Sequence, residues 1–103
     1  MSMAYVVGHI TVKDADKWQQ YQARVPATLA PWGAELVFRG QKAAVFAGAM
    51  PHTDIVVIRF ANAAAAAGWF ASAAYQALLS LRGEAADVLL VSYRSGAAFV
   101  SPG

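Results

Sequence analysis

Residues 54–60, Asp54-Ile55-Val56-Val57-Ile58-Arg59-Phe60, decide the fold. Four consecutive β-branched side chains ending on an aromatic ring, and preceded by the turn Met50-Pro51-His52-Thr53, read as a β-strand. The two-residue period of a strand sets Val56, Ile58 and Phe60 on one face and Ile55, Val57 and Arg59 on the other. Neither face is polar enough to rest in water. If helices cover one side of the sheet, the other side needs a second cover. The expected cover is another copy of the chain, packed sheet against sheet as a homodimer.

Working outward, Ala4 to Val12 (AYVVGHITV) reads as a first strand. Asp14 or Asp16 then caps a helix whose apolar stripe is Trp18, Tyr21, Val25, Leu29 and Trp32, at spacings of three and four. Pro26 lies inside the stripe and predicts a kink or a break, and Gly33 supplies the stop. Ala34–Arg39 and Ala43–Gly48 read as the second and third strands, an antiparallel hairpin turning at Gly40-Gln41-Lys42. Asp54–Phe60 follows as the fourth strand. Asn62 caps a second helical region, Ser72 caps a continuation from Ala73 to about Ala86, and Val88–Tyr93 is a fifth strand. The order β-α-β-β-α-β is that of an α+β, ferredoxin-like antiparallel sheet with its helices on one face.

Length and composition limit what such a chain can be. With 103 residues it has the size of one domain, read as residues 1–94 with a small-residue tail over 95–103. Hydrophobic residues make up 58% of the chain and charged residues 14%, an apolar excess that a subunit interface explains better than a membrane span, which needs ~20 consecutive apolar residues. Eight basic residues are dispersed, for a net charge of +2, so no nucleic-acid footprint is read. Without cysteine there is no disulfide, thiolate metal site or thiol nucleophile, and the N-terminus runs straight into a strand pattern; the expected location is cytoplasmic.

The candidate site follows from strand parity. Tyr5, Val7, His9 and Thr11 share one face of the first strand, the face that also carries Arg59 and, with a regular hairpin, Arg39. One imidazole, one phenol and two guanidiniums on an aliphatic surface suit a pocket for a small organic anion at the dimer interior. His9 is the candidate acid/base group, since an imidazole titrates near neutrality. The bland alternatives are ordinary. Arg59 and Arg39 can pair with Glu35 or Asp54, His52 reads as solvated, and Trp18, Tyr21 and Trp32 read as core. No phosphate loop, nucleophile elbow or metal-ligand spacing occurs, so neither metal nor cofactor is expected.

Two stretches resemble the bacterial family known as domain of unknown function 1330. One is Ala4–Val12 with Asp16-Lys17-Trp18 and Tyr21; the other is Ser72-Ala73-Ala74-Tyr75-Gln76-Ala77-Leu78-Leu79-Ser80-Leu81-Arg82. The resemblance implies a ferredoxin-like fold of the dimeric α+β barrel superfamily and adds Trp69, Tyr75 and Arg82 as matching positions for ligand contact, beside a plainer role in helix packing. That superfamily includes cofactor-free monooxygenases, isomerases and haem-dependent enzymes, so the fold selects no activity. Ala47, Ala74 and Ser80 stand where relatives often carry an acid, an acid and a proline, which removes two carboxylates from any acid/base scheme. The expected function is binding of a small organic molecule; the alternatives are a cofactor-free oxygenase or isomerase, or a purely structural dimer module.

Overall fold

A computed structural model describes residues 2–96. Strand β1 (Ala4–Val12) lies inside the sheet and alternates buried and half-buried positions along its length, as its two-faced sequence requires. Helix α1 (Ala15–Leu29) starts at Asp14, whose carboxylate accepts the Lys17 backbone N–H at 3.0 Å. It runs as one helix through Pro26, so the expected break into two pieces does not occur. Pro26 is exposed and lies in the last turn of the helix, where only a few residues follow it. The chain leaves the α-helix later, in a 3₁₀ turn (Ala30–Trp32) entered at Pro31 and ended by Gly33 in the left-handed region.

Strand β2 (Glu35–Gln41) pairs directly with β3 (Asp54–Phe60), and the expected strand over 43–48 does not form. Gln41 already opposes Asp54, and the Lys42 N–H donates to the Thr53 carbonyl at 2.7 Å. Residues 43–52 therefore leave the ladder as a loop, with the Phe46 ring almost fully exposed. Three of the five residues from Ala43 to Ala47 are alanine, a poor strand former, so the segment has little to hold it in a ladder.

The second helical region is divided more finely than expected: α2 (Ala63–Ala71), α3 (Ala73–Gln76) and α4 (Leu79–Ala85). Asn62 caps α2 and Ser72 caps α3 as the sequence predicts, and a further break falls at Ala77–Leu78. Strand β4 (Ala86–Arg94) closes the described fold, taking in Arg94; within the expected tail, residues 97–103 lie outside the described residues.

All strand pairs are antiparallel, in the order β2-β3-β1-β4. The helices lie on the face bearing Ala4, Val6, Ile58 and Phe60, where Tyr21, Val25 and Leu29 of α1 and Ala66, Trp69, Tyr75 and Leu78 of the second region complete one core. This is an α+β, ferredoxin-like architecture. Across the other face runs an apolar row through all four strands, Phe38, Val57, Val7 and Val91, with Leu89 and Tyr93 about half exposed beside it. Among the described residues no helix is long and apolar enough to cross a membrane.

Candidate functional site

A cavity of about 520 Å³ opens between α1 and the sheet, on the helix-covered face. Trp18, Tyr21, Gln22, Val25 and Leu29 line it from α1; Gly8, Ile10, Val56, Ile58 and Leu90 line it from the sheet; Trp69 contributes from α2. Gly8 lets the Val56 and Leu90 side chains pack close over the strand, because a Cβ there would stand 2.9 Å from Val56 Cγ1 and 3.3 Å from Leu90 Cδ1. The Trp18 and Tyr21 rings stack on one another at a centroid distance of 5.0 Å, and both residues line the cavity. Polar groups converge at the strand β2 end of this lining: Arg39, Gln41, Asp54 and Gln22. An apolar cavity with a few placed polar groups has the general form of a small-molecule site.

Arg39 reaches this cavity because β2 carries an irregularity. Leu36 opposes Ile58, but Phe38 opposes Val57, so Val37 is an extra residue and every later side chain changes face. With regular pairing Arg39 would oppose Ile55 on the open face, where the sequence places it. It opposes Val56 instead and lines the helix-side cavity. With the Gln22 amide turned so that its oxygen faces the donors, Oε1 accepts from Trp18 Nε1 at 3.0 Å and from Arg39 Nη1 at 3.1 Å. The sequence marks Trp18 as core and passes over Gln22, although their i, i+4 spacing puts both on one side of the helix.

The other expected residues are divided between two places. Tyr5 and Arg59 oppose one another on the open face, and Arg59 Nη2 lies 2.7 Å from Glu35 Oε2. Hydrogen bonding and charge from Glu35 hold Arg59 above its ordinary range, with Tyr5 adding to the effect, so this guanidinium is already partnered. His9, on the same face, lines a separate pocket of about 160 Å³ with His52, Lys42 and Thr53. His52 is not merely solvated: its Nδ1 lies 3.0 Å from Thr11 Oγ1, and the ring is half-buried. The fold thus brings together two histidines that stand 43 positions apart, a proximity the sequence does not reveal.

Trp69 and Tyr75 are core residues, at 1% and 0% exposure. Trp69 Nε1 donates to Thr28 Oγ1 at 3.0 Å, and Thr28 in turn donates to the Val25 carbonyl. Arg82 Nη1 donates to Tyr75 Oη at 2.9 Å, and Tyr75 Oη lies 2.7 Å from Tyr21 Oη. Arg82 and Tyr75 therefore anchor α4 to α3 and reach the cavity only through Tyr21. Burial, with the neighbouring Tyr75, pushes the Tyr21 phenol well up from its ordinary value; Arg82 opposes the shift. Among the described residues, no group of three or more His, Asp or Glu side chains is placed to hold a metal ion.

The family model for the domain of unknown function (DUF1330) matches residues 3–93. Several solved structures are similar in fold. A protein of unknown function from Rhodopseudomonas palustris is 14% identical with a TM-score of 0.75, covering 89% of this chain and 81% of that one. SnoaB, a cofactor-independent oxygenase from Streptomyces nogalater, is 10% identical with a TM-score of 0.68, covering 98% and 100%. A dimeric ferredoxin-like protein of unknown function from Thermobifida fusca is 16% identical with a TM-score of 0.58, covering 89% and 90%. No curated protein matches the sequence.

Proposed function

Since this chain belongs to the family of the domain of unknown function (DUF1330), we propose its role from the site itself: it binds a small organic molecule in the cavity between α1 and the sheet. The observation that carries the reading is the cavity, about 520 Å³ within a 103-residue chain, apolar on its walls and polar at one end. A second copy of the chain covers the open face. Support for that part comes from the apolar row Phe38–Val57–Val7–Val91, which faces no helix of its own subunit.

This reading moves the expected ligand from the dimer interior to the helix side. On the open face Arg59 is paired with Glu35, and the pocket beside His9 has less than a third of the cavity's volume. A catalytic role of the cofactor-free oxygenase or isomerase kind would draw its base from the cavity lining. Asp54 is the one carboxylate there among the described residues, and His9 is not part of it.

A thermal-shift screen of small aromatic and carboxylic compounds tests the reading. Compounds that raise the Tm of the natural chain lose their effect in Ala34→Phe, which adds a ring to the cavity wall, and keep it in His9→Ala. The opposite pattern, with hits lost in His9→Ala and kept in Ala34→Phe, places the ligand on the open face and sinks the proposal.

A further inference from the structure

The bulge at Val37 does more than interrupt a strand, because it decides which face receives a cation. Arg39 is the one basic residue on the cavity lining among the described residues. Its recorded partner is a neutral amide oxygen, that of Gln22 at 3.1 Å, and it makes no ion pair among the described residues, whereas Arg59 on the opposite face is bonded to Glu35. A guanidinium has five N–H donors in a planar fork that fits a carboxylate in bidentate fashion. With one donor on Gln22, the rest are available. Asp54 shares the lining but lies more than 4 Å from Arg39 in every N···O pair, so it leaves the guanidinium unneutralised by direct contact. The stacked aromatic pair Trp18 and Tyr21 lines the same cavity, and Trp18 also donates to the Gln22 oxygen that steadies the guanidinium, which ties the aromatic pair to Arg39.

Resting on the cavity reading above, we infer that Arg39 is its specificity-determining residue and that the ligand class is the aromatic carboxylates: an aromatic body in the apolar lining beside the Trp18–Tyr21 pair, its anionic head on Arg39. Gln22 is the positioning residue, holding the fork at the polar end.

Isothermal titration of the full chain with 2-naphthoate and with 2-naphthamide, matched in shape and different in charge, tests this. The natural chain binds the carboxylate about tenfold more tightly or better, in line with the greater strength of charge-assisted hydrogen bonds. Arg39→Gln removes the preference: carboxylate affinity falls to about that of 2-naphthamide, whose neutral carbonyl loses less when the cation is removed. Gln22→Glu keeps the guanidinium but sets a carboxylate against it, and it too removes the preference, which separates loss of the free cation from loss of the fold. Equal affinity for both probes in the natural chain, or a preference that survives Arg39→Gln, overturns the inference while the cavity reading stands. Failure of both probes to bind the natural chain also overturns the inference, and the thermal-shift screen with Ala34→Phe then decides the cavity reading on its own.

Discussion

Tyr75 is sealed from water, yet its hydroxyl oxygen lies within hydrogen-bond distance of both Arg82 and Tyr21. A buried phenol without a partner would cost about 1–3 kcal/mol, so these contacts are what let two phenols occupy a core otherwise built from Trp69, Phe60 and Leu78, with the half-buried Arg82 reaching in from α4. Its effect on pH dependence can be worked out for Tyr21, whose phenol is raised above its ordinary value of 10.0, first by burial and then by Tyr75. Below about pH 10 the phenol is neutral in both folded and unfolded chains and its contribution is fully present. Above that, the unfolded chain ionises while the folded one does not, and stability falls by about 1.4 kcal/mol per pH unit for this one group. Tyr21→Phe is expected to cost about 1 kcal/mol at pH 8 through the lost hydrogen bond, and to decline less steeply in alkali. Urea unfolding of the two chains should therefore show their stabilities converging by about pH 11; curves that stay parallel refute the assignment. Tyr21 was legible as core because helical spacing alone puts it on one face with Val25 and Leu29. Arg39 was not, because its face depends on a pairing irregularity that no spacing within β2 records.

At the scale of elements, capping was readable and strand partnering was not. Asp14, Asn62 and Ser72 each accept a backbone N–H three residues ahead, a contact contained within four residues of sequence. The segment 43–48 has extended-strand composition in part, but β3, further along the chain, takes the place beside β2 that the segment was expected to fill. A comparable dependence on distant neighbours separates two glycines. In α2, a Cβ on Gly68 would lie 2.6 Å from the Trp32 ring, which the 3₁₀ turn lays against the helix; in α4, a Cβ on Gly83 would meet nothing within 4 Å. Replacing glycine by alanine inside a helix is worth about 1 kcal/mol from propensity alone. Gly83→Ala should realise up to that gain. Gly68→Ala sets the same gain against overpacking of a large ring, about 1–3 kcal/mol, and is expected to lose stability on balance. Thermal or urea unfolding of both variants reads the sign directly, and a stabilised Gly68→Ala would mean that Trp32 moves aside freely.

For the molecule as a whole, the decisive feature is the two-faced strand β3. Its Ile58 and Phe60 lie in the core under the helices, while Val57 sits in the apolar row that crosses the open face. Four strands with helices on one side cannot bury both, and Leu89 and Tyr93, at 51% and 53% exposure, extend the uncovered surface along β4. The sequence carried this requirement in the alternation of residues 55–60, although it could not show that the same sheet keeps a cavity on its helix side. If a second copy provides the cover, a charge at the centre of the row is buried unpaired on association, a cost of several kcal/mol. Val57→Glu should then raise the dimer dissociation constant by about a hundredfold or more, while the helix-side core and the far-ultraviolet circular dichroism spectrum are retained. Sedimentation velocity over a concentration series measures the change. A natural chain that sediments as a monomer at ~100 μM, the range in which even weak specific dimers of about −5.5 kcal/mol half-form, would remove the second copy and leave this face to a different partner.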